Sequence, residues 1–333
     1  MTAGVAAGGY QGPPELTVAR AFTSWTVDGP VLTVVLAAGV LYLLGARRAR
    51  RSGGWPAGRA VLFCGGGLGL AAVATMGFPG VYYGVLFYAR AVQTILLLLA
   101  VPLFLALGRP LTLLAAAAPG AGQRMQAVVG SRAARVLTFP AVSTLVLVVV
   151  PFVLYFTSWY TAGFHSGLVR ELTYLALLAP GWVFFWTLLR VDPVPKAYPY
   201  LVSLWVTGTE VVGDAILGLA IIADQHLIAG AYYHAVGRPW GPSLRTDQVL
   251  GGGVLWILGD LIGLPFLAAQ LIQMIREDES EAKVIDAELD ARTAAEAGTG
   301  PDAEEAARPW WESDPRFAGR FRPPAADGGG GAQ

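Results

Sequence analysis

Arg90, Gln93 and Thr94 stand at i, i+3 and i+4 inside a long apolar run, so on a helix they share one face. Glu210 and Asp214 repeat the i, i+4 spacing in another apolar run. Arg170, Glu171 and Tyr174 gather near the start of a third, and Asp260 sits near the middle of a fourth. If these runs lie in a bilayer, each charge costs roughly 2.5–3.5 kcal/mol on insertion scales and needs a partner or a wet cavity. Guanidinium and carboxylate can satisfy one another. The spacing therefore predicts one polar cluster, with Arg90 and Arg170 facing Glu210, Asp214 and Asp260. Such a cluster is either a site or relay open to one side of the membrane, or a set of interhelical pairs that fixes helix register.

The three histidines, His165, His226 and His234, fall in loops between apolar runs, all on one side of the membrane. Their imidazoles could hold a transition metal, but the spacing matches no strong metal motif and no methionine or cysteine accompanies them, so they are weak metal candidates. Cys64 is the single cysteine, which excludes an internal disulfide framework and any cysteine-clustered metal site; its apolar surroundings predict a small buried residue. No lysine or histidine lies within an apolar run, which excludes a Schiff-base retinal protein and a bis-histidine membrane haem. There is no nucleophile elbow, zinc-protease helix or phosphate-cradling loop, and no nucleic-acid footprint. No enzyme is indicated.

The elements that position these residues follow from composition. Hydrophobic residues make up 55% of the 333, charged residues 14%, and mean hydropathy is +0.54. A soluble domain carries about 25% charge, so a conventional water-facing surface is excluded. A spanning helix needs about 20 apolar residues. Seven stretches qualify: 31–44 (extended by Pro30 and Gly45), 60–78, 85–107, 137–156, 168–189, 201–222 and 250–274. The reading is an all-α, polytopic seven-helix transmembrane bundle.

Charge sets the expected topology. Residues 1–275 hold 16 Lys and Arg against 9 Asp and Glu, whereas residues 276–333 hold 7 against 14. Arg47, Arg48, Arg50, Arg51 and Arg59 lie between spans one and two, Arg109, Arg124, Arg132 and Arg135 between three and four, and Arg190 and Lys196 between five and six. The positive-inside rule puts those loops in the cytoplasm, the N-terminus outside and the tail inside. The predicted organisation is an extracytoplasmic segment over 1–28, the transmembrane domain over 29–275 and an acidic cytoplasmic tail over 276–333. That tail starts as a polar helix through about Asp290. It is expected to be disordered beyond Gly298, with an aromatic island at Pro309–Pro315 around Trp310 and Trp311.

Several marks along the chain together resemble the CtaG-type cytochrome c oxidase assembly factors of bacteria. They are Trp25 to Pro30, Leu41 to Arg48, Trp55 to Arg59, Gly108 to Leu111, Gly181 to Trp186 and Val191 to Pro195. The strongest are Trp240-Gly, then Asp247-Gln248-Val-Leu-Gly251-Gly252, Trp256 and Gly259-Asp260. The resemblance covers roughly residues 22–283. It implies a bacterial cell-membrane protein that helps mature an aa-type oxidase, by assisting copper insertion or subunit maturation. Oxidase subunits or a copper chaperone would be its partners. Members of that family commonly carry His-x-x-x-His around a glutamine in the third helix and are His-rich near the outer end of the fifth. Here Arg90 and Thr94 flank Gln93, and Arg170, Tyr174 and Ala176 occupy the fifth. An arginine offers copper no lone pair. Three readings follow: an assembly factor without catalysis, a proton-coupled or cation transporter built on the membrane acids, and a copper binder using the loop histidines.

Overall fold

In lipid the backbone must satisfy its own hydrogen bonds, so apolar runs of this length form helices. The computed structural model describes residues 10–52, 54–196 and 198–297, and among them every regular element is helical. After the short α1 (Val18–Thr23) come α2 (Gly29–Ser52), α3 (Ala57–Tyr82) and α4 (Phe87–Ala117). Two short helices follow, α5 (Pro119–Val129) and α6 (Arg132–Leu137). Then come α7 (Pro140–Phe156), α8 (Trp159–His165), α9 (Gly167–Leu189), α10 (Tyr200–Ala223), α11 (Gly230–Val236) and α12 (Leu244–Ala297).

Six of these helices are long and apolar enough to cross a membrane. The count is seven if α7 and α8, bent by 68° at a short break, form one span. The bundle is thus the all-helical, six-to-seven-span protein that composition implies. Two spans outrun their expected ends. α2 continues past Leu44 to Ser52, because Arg50 and Arg51 in its last turn favour the negative end of the helix dipole. α4 continues to Ala117 because its helix restarts at Pro110, whose fixed φ suits a first turn.

α4 lies at the centre, with 67% of its apolar window buried; α2 is peripheral, with 11%. The main core gathers Ile95, Leu97, Leu98 and Leu99 of α4 with Leu147 and Leu154 of α7, Phe184 and Phe185 of α9, Leu217 and Ile221 of α10, and Leu255 of α12. Two stretches, Val61–Leu68 in α3 and Leu96–Ala100 in α4, have the wider π-type turn. α10 and α12 touch backbone to backbone at Gly218 and Gly252. A Cβ at either would lie 2.6–2.7 Å from the other's carbonyl oxygen, so only glycine permits this approach. Cys64 is half-buried rather than enclosed, packed beside Tyr42, Phe63 and Leu68.

Contacts divide the chain into two units, Met1–Leu271 and Ile272–Gln333. In the second, the described residues are helical as far as Ala297, and their side chains from Ile275 through Arg292 are exposed. The expectations for the chain beyond Gly298, including Trp310 and Trp311, lie outside the described residues.

Candidate functional site

A helix leaves its first backbone N–H groups without partners, and in α4 Leu86 at the N-cap has no side-chain acceptor to offer. Asp247 of α12 supplies it from 160 residues away: Oδ2 accepts from Phe87 N at 3.0 Å and Oδ1 from Tyr88 N at 3.1 Å. The same carboxylate pairs with Arg238 at 3.2 Å, and both side chains are almost wholly buried. Arg238 also donates to the carbonyls of Trp240 and Pro242 and lies over the Trp240 ring, which meets Tyr10 and Tyr82 edge-on. The neighbouring Gln248 completes the clasp. Its Oε1 accepts from Ile228 N at 2.8 Å, and its Nε2 donates to the carbonyls of Ile221, Asp224 and His226. Arg245 donates to Ile222 and Asp224, so two side chains close the carbonyl end of α10.

A second clasp closes the opposite end of α4. Arg109 adopts a left-handed conformation (φ 53°), and helix resumes at Pro110 with its new N–H groups unpaired. Asp192 accepts from Leu111 N at 3.1 Å, Thr112 N at 2.8 Å and Thr112 Oγ1 at 2.5 Å. Tyr42 donates to Gly108 O at 2.6 Å and accepts from the Trp55 indole, while the Trp186 indole donates to Pro193 O. The motifs that carry the sequence resemblance therefore meet here and at Asp247. They close helix ends. Sequence reading had placed Asp247, Gln248, Gly251, Gly252 and Trp256 in one signature but had missed the capping role of Asp192. Nothing local in the sequence marks it, because Asp192 lies 81 and 80 residues from the N–H groups it caps.

Arg90 is 1% exposed and, among the described residues, pairs with no carboxylate. Its Nη1 donates to Gln93 Oε1 at 3.0 Å, the i, i+3 contact that the spacing anticipates. Gln93 in turn donates to Ala74 O at 2.9 Å and reaches the Tyr174 hydroxyl at 3.5 Å. The rings of Tyr83 and Tyr160 flank the guanidinium at 5.5 and 5.9 Å, within cation–π range. Thr94 turns back to Arg90 O and to the Tyr155 hydroxyl. Tyr160 shares a 2.8 Å hydrogen bond with Tyr233, whose phenol desolvation holds above its ordinary pKa, so it remains a neutral hydroxyl.

The single cluster expected from the sequence does not form. Among the described residues no ion pair joins Arg90 or Arg170 to Glu210, Asp214 or Asp260. Each arginine has nearer partners: Arg90 has Gln93 and aromatic rings, and one nitrogen of Arg170 bridges Asp28 at 3.0 Å and Glu171 at 3.1 Å. Glu210 and Asp214, 2% and 4% exposed, turn toward α12 instead. Gly259 and Gly263 make room for them there. A Cβ at 263 would come 3.1 Å from Glu210 Oε2, and one at 259 would collide with Asp214 Oδ2. Asp260 is half-buried beside them. Glu210 Oε1, Asp214 Oδ2 and Asp260 Oδ1 are buried with no hydrogen-bond partner. A turn away, Thr207 donates to Gln270 Oε1 at 3.2 Å.

The loop histidines are exposed and engaged locally, His165 with Thr161 O and His226 with Asp224. Among the described residues no three His, Cys, Asp or Glu side chains converge in a group able to hold a metal ion. A guanidinium at position 90 and a hydroxyl at 94 do not suit copper either.

Buried charge, helix ends closed by side chains distant in the chain, and lipid-length apolar helices define a polytopic α-helical membrane protein. The chain belongs to the cytochrome c oxidase caa3 assembly factor (Caa3_CtaG) family, whose model matches residues 40–277. An uncharacterised protein of Mycobacterium leprae is 27% identical over 285 residues, 82% of this chain and 43% of the relative. An uncharacterised protein of Mycobacterium bovis is 28% identical over 300 residues, 85% of this chain and 44% of the relative. The chain thus spans less than half the length of these curated relatives. No solved structure matches it significantly.

Proposed function

We propose that this protein is a bacterial plasma-membrane assembly factor for a caa3-type cytochrome c oxidase, working by contact with oxidase subunits or a copper-delivering protein and catalysing no reaction itself. The observation that carries this reading is the family match, which runs from α2 to α12 and takes in both clasped ends of α4. In this reading the Asp247 end faces outward and the arginine-rich end inward. Copper passes between partners, because the side chains at the membrane positions 90 and 94 do not suit it.

Deletion of the gene is the direct test. The expected result is a weakened haem a spectrum and low oxidase copper, restored by the intact chain, with oxidase subunits recovered alongside the protein in mild detergent. A deletion strain with normal spectrum and copper content would end the proposal. One observation favours a second reading: among the described residues no Lys or Arg forms an ion pair with Glu210, Asp214 or Asp260 inside the bundle. A proton or cation carrier would show flux in proteoliposomes that falls when Glu210 or Asp214 is neutralised.

A further inference from the structure

α2 stands off from the bundle along one side, leaving a cleft of about 530 Å³ between it and α3, α4 and α9. Its walls are apolar, with Val34 and Val35 of α2 facing Leu97 and Val101 of α4 and Leu175 and Leu178 of α9. The α9 wall from Glu171 to Trp182 covers eleven residue-to-residue steps, about 16 Å at 1.5 Å per step. An empty apolar slot forfeits dispersion contacts on every wall, and hydrocarbon is the solvent that borders it. A single flexible chain fits.

The mouth of the cleft says what that chain is attached to. Pro30 and Glu171 line it, with Asp28 and Arg170 alongside. Two carboxylates share one guanidinium nitrogen there, at 3.0 and 3.1 Å, leaving the group one positive charge short. Arg170 Nε is buried with no acceptor. A side chain at position 29 would meet nothing within 4 Å, so the mouth has open space above it. We propose that this cleft is a phospholipid site, in which one acyl chain lies between α2 and α9 and an ethanolamine headgroup sits at Asp28, Arg170 and Glu171. The ammonium supplies the missing positive charge through its three donors, and the phosphate supplies an acceptor for Arg170. An anionic glycerol headgroup would add negative charge where it is already in excess.

Native mass spectrometry of the full chain, released from nanodiscs holding equal phosphatidylethanolamine and phosphatidylglycerol, tests this. The expected spectrum has one retained phosphatidylethanolamine per chain. Glu171→Gln should lower its retention about fivefold, as loss of one partly exposed ion pair would. Leu175→Trp, at an exposed position that can take a larger ring without repacking the core, should remove the adduct by filling the slot. Melting temperature in detergent identifies any variant that fails to fold, and Val34→Trp on the facing wall then replaces it. Equal retention of both lipids, no retained lipid, or an adduct unchanged in the tryptophan variants would overturn the site.

Discussion

Arg90 and Glu210 are both buried and, among the described residues, neither has an ion-pair partner, yet their surroundings predict opposite responses to substitution. Among the described residues Gln93 is the one side-chain acceptor for the Arg90 guanidinium. Gln93→Leu should cost about 2 kcal/mol, the usual worth of a hydrogen bond to a charged group, and lower the melting temperature in detergent. Glu210 has no cation to lose. Glu210→Gln preserves the shape beside Gly263 and removes an uncompensated acid, so the melting temperature should hold or rise. A clear fall would mean that a cation occupies the acid set. The i, i+3 and i, i+4 spacings did reveal which residues share a face. They could not reveal which face meets which, because that depends on glycine slots at 259 and 263 in a different helix. The expected Arg90–Glu210 meeting failed for that reason.

At the scale of elements, α4 is a helix whose two caps come from elsewhere in the chain. Asp247 serves one end while pairing with Arg238, and Asp192 serves the restart at Pro110 through the Leu111 and Thr112 N–H groups. The difference should be measurable. Asp247→Ala removes a cap and strands a buried guanidinium, for a loss of about 3–5 kcal/mol. Asp192→Ala removes a cap and the Thr112 hydroxyl's acceptor, for about 1–2 kcal/mol. Amide hydrogen exchange should speed up at Phe87 and Tyr88 in the first variant and at Leu111 and Thr112 in the second. Equal destabilisation would mean that Arg238 finds another acceptor. The spans themselves were legible from apolar run length. The caps were not, since a carboxylate that closes a helix 160 residues away has no local periodicity. The bend between α7 and α8 was equally hidden, because the apolar run up to Phe156 gives no sign that the chain resumes at Trp159 in a new direction.

For the whole molecule, orientation follows from charge that remains available once internal pairing is subtracted. At the Asp247 end Arg170 and Arg238 are ion-paired and Arg245 closes the carbonyl end of α10, so little free positive charge is left there. The other end carries the Arg47–Arg51 run, Arg59, Arg124, Arg132 and Arg135. The contrast is therefore steeper than a count of arginines suggests, and it favours the arginine-rich end inside. With Cys64→Ser as background, a cysteine at His226, which is 97% exposed, should react with a membrane-impermeant maleimide in intact cells. A cysteine at the exposed Arg124 should react only after the cells are opened. The reverse pattern would place Asp28, Arg170 and Glu171 in the inner leaflet. The apolar cleft would keep its shape, but the headgroup drawn to its mouth would then come from cytoplasmic lipid.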